Sequence, residues 1–151
     1  MSIKDTINDL ISQFGRQLGI EELALDDNGF CALEFDRAIP LQLQIHPDQE
    51  RLIVFAEVGF LPEEPAIETT LNLLRANYFW QGTGGGTLSI GEEGAVVLLR
   101  EVRVEGITYA AFEKLLGTFL DVAEFWQKQL QSSPATEVTL PEVGEAAFLR
   151  V

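Results

Sequence analysis

The side chains most able to do chemistry in this chain are one histidine, one cysteine and 24 carboxylates, set beside a run of glycines. A Walker A loop cradles phosphate on backbone N–H groups, needs Lys followed by Ser or Thr, and must lead into a helix. The stretch Gly82-Thr83-Gly84-Gly85-Gly86-Thr87 has no such lysine, and the segment after it reads as a strand. It fails equally as a dinucleotide fingerprint, because Thr87 stands where the third glycine belongs. The run is read as a flexible connection whose glycines supply positive φ. Asp26, Asn28 and Gly29 imitate the middle of a calcium loop, but Ala24 and Phe35 fall at its first and last ligand positions, so an Asx-type turn is expected instead.

One histidine and one cysteine cannot build a structural zinc site. His46, beside Pro47 and Asp48, reads as an exposed residue at a hairpin end without a nucleophile to serve. Cys31 alternates in phase with Leu33 and Phe35 and reads as a small buried hydrophobe, not a reactive thiol. The acids collect where they are simply solvated: Glu63 and Glu64 at a helix start, Glu92 and Glu93 at a turn, Glu21, Glu22, Asp26 and Asp27 in a connection. Carboxylates converging from distant positions remain the one route to a small hydrolase or isomerase. No catalytic residue, metal or cofactor is expected, and the chain is not expected to be an enzyme.

The elements that position these residues follow from periodicity. Ser2, with Asp5 three residues on, resembles a capping box. Ile3, Ile7, Leu10, Ile11, Phe14 and Leu18 then recur on one helical stripe, which Gly19 stops. Cys31, Leu33 and Phe35 alternate as a strand, and so do Leu41, Leu43 and Ile45 against Gln42, Gln44 and His46. A third strand, Leu52 to Val58, completes a meander with one covered face. Pro62 to Pro65 announces a second helix with Ile67, Leu71, Leu74 and Tyr78 on its stripe. A second hairpin runs from Thr87 to Ile90 and from Ala95 to Val104, and a last helix from about Thr108 to Leu130. The fold class is therefore α+β, in the order helix, three strands, helix, two or three strands, helix, with the helices packed on an antiparallel sheet. One domain spans residues 1–131, and residues 132–151 are read as a C-terminal tail.

The 151 residues suffice to bury a core without disulfides, and 46% hydrophobic content is too apolar for wholesale disorder. Ten basic residues against 24 acidic ones give a formal charge of −14. A chain so acidic repels phosphate backbones and anionic membranes, so neither nucleic acid nor membrane insertion is expected. The same charge keeps a protein soluble while it displays apolar surface. A single cysteine and an N-terminus without an apolar signal region point to a reducing cytosol.

The segment Leu73-Leu74-Arg75-Ala76-Asn77-Tyr78-Phe79-Trp80, followed by Gln81 to Gly86 and Thr87-Leu88-Ser89, resembles class I type III secretion chaperones of the CesT/SycE kind. In that family a helix ending in Leu-Leu and Ala-Asn leads through a Thr-Gly-Gly-like loop into a strand. The order of elements agrees from about Ile3 to Leu130. The resemblance implies a homodimer of the bacterial cytoplasm that binds the non-globular N-terminal segment of a secreted effector, keeps it soluble and export-competent, and meets the secretion ATPase or export apparatus. It places the twofold interface on Ile67, Thr70, Leu71, Leu74, Tyr78, Val97 and Leu99. It places effector-binding grooves on Leu10, Ile11 and Phe14 of the first helix with Leu33, Phe35, Leu43 and Phe55 of the strands. A YbjN-like regulatory or stress protein of related fold, binding a folded partner, is the alternative.

Overall fold

Ser2 caps the first helix as its spacing with Asp5 requires: its Oγ accepts the Asp5 amide at 3.2 Å while the Asp5 carboxylate accepts the Ser2 amide at 3.2 Å. Two otherwise unpaired donors are satisfied at once. The computed structural model describes residues 2–34, 39–48 and 50–132. Helix α1, Ile3–Leu18, ends at Gly19 in the left-handed region (φ 77°), where a Cβ would be strained. Strands β1 (Phe30–Leu33), β2 (Leu41–Ile45) and β3 (Arg51–Phe60) come next, then α2 (Ile67–Ala76) and a short 3-10 turn, Tyr78–Trp80. The hairpin of β4 (Thr87–Ile90) and β5 (Ala95–Arg103) leads into α3, Tyr109–Gln131.

All pairings are antiparallel and make one five-stranded sheet in the order β1-β2-β3-β5-β4. The second hairpin therefore docks through β5 onto the last strand of the meander. A bulge sets Glu57 opposite Val97 and Gly59 opposite Val96, so one extra residue, Val58, enters β3 and the strand bends there. Gly59 makes room for the helix above it, since a Cβ would lie 3.0 Å from Leu130 Cδ1.

Alternation decides which face is covered. Leu41, Leu43 and Ile45 of β2, Leu52, Val54, Ala56 and Val58 of β3, and Val96, Leu98 and Val102 of β5 are buried. They meet Ile7, Leu10, Ile11 and Phe14 from α1 and Phe112, Leu116, Phe119, Leu120, Ala123 and Trp126 from α3 in one core. The intervening residues Gln42, Gln44, Ile53, Phe55, Val97 and Leu99 stay half-buried on the second face. Burying a large aliphatic or aromatic side chain contributes about 1.5–3 kcal/mol, so the stripe of α1 and the covered sheet face hold the fold together.

The glycine run is not the flexible connection that its composition suggests. Gly84 and Gly85 do adopt positive φ (61° and 92°), but the loop is pinned from three sides. Thr83 Oγ1 donates to the Gly86 carbonyl at 2.6 Å, Arg100 Nη1 to Gly84 at 2.6 Å, and the buried Trp126 Nε1 to Gly82 at 2.8 Å. A Cβ on Gly86 would come within 2.8 Å of the Leu99 carbonyl, so glycine is needed there for close approach to β5. Phe35, expected to close β1, and the tail after Ser132 lie outside the described residues.

Candidate functional site

The residues with chemical potential are absorbed by structure. Asp26 Oδ1 accepts the amides of Asn28 (2.8 Å) and Phe30 (3.0 Å), the Asx turn expected from the sequence. His46 Nδ1 accepts the Asp48 amide at 3.1 Å, which ties the β2–β3 turn together. The Asp48 carboxylate accepts the Glu50 amide and then pairs with Arg51, and these hold its pKa down at about 2. Burial, reinforced by Asp26, pushes the Cys31 thiol up, as suits a packed hydrophobe and not a nucleophile. Among the described residues no helix is long and apolar enough to cross a membrane.

What remains uncovered is apolar. On α2 and the turn after it, Ile67 is 74% exposed, Leu74 62% and Tyr78 66%, while Thr70 and Leu71 are half-buried. Phe79, Trp80 and the β4 residue Ile90 are also exposed. Thr70, Leu73, Leu74, Leu88, Ser89 and Ile90 line a hollow of about 260 Å³ between α2 and β4. Five of the seven residues assigned to the interface from sequence thus lie along α2 and its end. Val97 and Leu99 sit on the second face of the sheet, where Leu99 lies opposite both Phe55 and Thr87. Ile90, Phe79 and Trp80 were missed, since no periodicity marks them; Phe79 and Trp80 adopt φ of 48° and 55°, a conformation glycine usually supplies.

The groove residues divide differently. Leu10, Ile11, Phe14, Leu33 and Leu43 are all buried in the protomer's own core, so a guest cannot touch them without opening the fold. The α1 stripe packs into the core shared with α3 and the covered sheet face, and the sequence shows only that it is apolar, not what covers it. Phe55 alone is accessible among the described candidates: it is half-buried on the second sheet face, with the Phe30 ring 6.4 Å away and Ile53 on the same face. Phe35 lies outside the described residues.

Each edge of the sheet is capped at one position. At β4 the Asn77 side chain acts as a substitute strand: Nδ2 donates to the Leu88 carbonyl at 3.0 Å and Oδ1 accepts the Leu88 amide at 2.9 Å. This is the physical work of the Ala-Asn pair that ends α2. At β1 the outward groups of Phe30 bond to Asp26, through the Asp26 amide (2.8 Å) and its carboxylate (3.0 Å). Ala32, the next residue whose N–H and C=O point outward, lies exposed beyond that turn. Asn77→Ala is expected to cost about 1–3 kcal/mol, because it orphans both Leu88 groups at once. Urea titration checks this, and an unchanged midpoint would mean that water replaces the amide without loss.

Comparison with known proteins agrees with this arrangement. The Tir chaperone protein (CesT) family is matched over residues 9–127. The transcriptional anti-antiactivator ExsC of Pseudomonas aeruginosa is 29% identical over 133 residues, 86% of this chain and 89% of that protein. The crystal structure of the ExsC–ExsE complex has a chain 27% identical, with a TM-score of 0.75, covering 88% of this chain and 100% of its own. The heterodimeric ExoU–SpcU complex from the type III secretion system of Pseudomonas aeruginosa shares the fold at 18% identity and a TM-score of 0.66, covering 84% of this chain and 99% of that one. These matches do not favour a YbjN-like regulator. The chain belongs to the Tir chaperone protein (CesT) family and is a type III secretion chaperone.

Proposed function

We propose that this chain works as a homodimer in the bacterial cytoplasm, holding the non-globular N-terminal segment of a secreted effector in extended form on the second face and open edge of its sheet. The observation that carries this reading is the group of uncovered apolar side chains on α2, the turn after it and β4, on a chain of net charge −14. A protein so charged stays soluble while it exposes side chains such as Ile67 and Leu74, and a partner surface is the usual reason for such exposure.

The twofold contact is assigned to Ile67, Thr70, Leu71, Leu74 and Tyr78, with Val97 and Leu99 beside it. The guest contact is assigned to Phe55 with Phe30 and Ile53, next to β1. Strand addition at Ala32 would supply main-chain hydrogen bonds, and the aromatic pair would supply pockets for alternate guest side chains. Leu10, Ile11, Phe14, Leu33 and Leu43 then act from beneath, as the core that holds this face in shape. Ordering a long segment is entropically costly, so affinity must come from several shallow apolar contacts together. No catalytic step is part of this function. The export apparatus, with its ATPase, is the receiver of the loaded complex.

Coexpression with the effector of a neighbouring gene tests the proposal: the effector, insoluble alone, becomes soluble with the native chain. Phe55→Asp is expected to weaken guest binding by at least about 30-fold, which corresponds to about 2 kcal/mol, while leaving the fold intact. Guest affinity unchanged by Phe55→Asp would remove the sheet face from the binding surface.

ExsC, which resembles this chain over most of its length, is named as a transcriptional anti-antiactivator, and this favours a second guest. A regulatory protein would occupy the same surface and be displaced by the effector. Copurification from the native host should then yield both proteins in separate complexes. A single complex holding both at once would exclude a shared surface.

A further inference from the structure

Phe79 and Trp80 put two successive bulky side chains in the left-handed region, with φ of 48° and 55°. Such a conformation persists only where its surroundings fix it, and three hydrogen bonds do so here. The amides of Trp80, Gln81 and Gly82 donate to the carbonyls of Asn77 (2.9 Å), Tyr78 (3.2 Å) and Ala76 (3.0 Å). The protomer itself gains little contact from this strain. Phe79 packs edge-on against Tyr78, ring centroids 4.8 Å apart, whereas Trp80 meets no other ring among the described residues, and both side chains are 47% exposed. A rigid turn that leaves an indole half in water has its use outside the protomer.

The hollow between α2 and β4 offers the complementary shape. Buried Leu73 and Leu88 form its floor, and Leu74 and Ile90, both exposed, stand at its rim with Thr70 and Ser89. At about 260 Å³ it falls below the roughly 300–1,000 Å³ of small-molecule sites and suits one large apolar side chain. The aromatic turn starts four residues past Leu74, so projection and recess share one surface. A surface carrying both is complementary to its own copy under a twofold axis, because the projection of each chain enters the recess of the other. The fixed turn also enters without the ordering cost that an extended guest segment would incur.

We infer that Trp80 of each protomer seats its indole in the partner's hollow between α2 and β4, and that the left-handed turn is the device that presents it. The inference rests on the homodimer proposed above and adds the reciprocal contact that fixes how the two copies align.

Mixing two variants tests it. Trp80→Gly removes the projection and relieves the strained φ, while Ile90→Asp puts a carboxylate at the rim of the recess. Both positions are exposed in the protomer, so each chain should fold, as circular dichroism checks. Each variant alone should form its homodimer at least about tenfold more weakly than the native chain, since both contacts are lost. The mixed pair keeps one contact, Trp80 of the Ile90→Asp chain entering the recess of the Trp80→Gly chain. Sedimentation, with native mass spectrometry to identify the heterodimer, should find the mixed pair at least about threefold tighter than either homodimer, the share of one contact in the tenfold. Native affinity in either variant, or a mixed pair no tighter than the homodimers, would overturn the seating while leaving the dimer in place; the hollow would then fall to a guest side chain. A native chain that sediments as a monomer would overturn both. Fluorescence of the native chain needs no variant: dilution through dissociation should move the Trp80 emission to longer wavelength, while the buried Trp126 stays constant. An unchanged spectrum would overturn the seating as well.

Discussion

Leu74→Asp is expected to give a folded monomer in place of a dimer. Leu74 is exposed in the isolated protomer, so the new carboxylate costs the single chain almost nothing. In the paired state the same carboxylate would be desolvated against Ile67, Tyr78 and Ile90, with no cation among those neighbours to offset it. A twofold contact contains the change twice, once from each copy. At about 2–4 kcal/mol for disrupting a central contact, dissociation should become roughly 10³-fold easier or more. Sedimentation velocity reads the association state, and circular dichroism with urea titration reads the fold. A dimer of undiminished affinity would take α2 out of the interface. A chain that no longer folds would contradict the exposure of Leu74.

The second large effect lies in the core, beneath the sheet face proposed to hold the guest. Trp126 is fully buried and its indole N–H holds the Gly82 carbonyl at 2.8 Å, across 44 residues of sequence. Trp126→Ala removes the largest side chain of the core and strips a buried carbonyl of its donor, for an expected loss of about 3–5 kcal/mol. Against a total stability of about 5–15 kcal/mol this is a large enough fraction to raise the unfolded population sharply at 37 °C. Trp126→Phe keeps most of the packing and loses the hydrogen bond, so its expected cost is smaller, about 1–3 kcal/mol. Urea midpoints of the two variants separate packing from pairing. Equal losses would show that the hydrogen bond is what matters at this position.

Local signals in the chain carried most of the architecture. Ser2 with Asp5, the stripe from Ile3 to Leu18 and Gly19 define α1 almost to the residue, because capping and periodicity are short-range effects. The same holds for β2, where Leu and Ile alternate with Gln. The candidate surface was only half legible. A stripe such as Leu10, Ile11 and Phe14 reports that a face is apolar, and only tertiary packing decides whether it meets a sheet or a partner. The α1 stripe is buried in the protomer's own core, whereas the α2 stripe at Ile67 and Leu74 is left open. The glycine run was misjudged as flexible for a related reason: its anchors, Arg100 and Trp126, are 16 and 44 residues away from the carbonyls they hold and leave no mark near Gly84. Asn77 is a motif residue in the sequence, but its pair of hydrogen bonds to Leu88 emerges only once the chain has brought α2 beside β4.

The plugged position at Leu88 weakens the β4 margin as a seam. A strand adds stably only where several consecutive outward groups are vacant, and the Asn77 carboxamide takes those of Leu88, which leaves Ile90 as the one other outward position of this four-residue strand. Backbone pairing there would be confined to a single residue, too little to splice subunits into a filament.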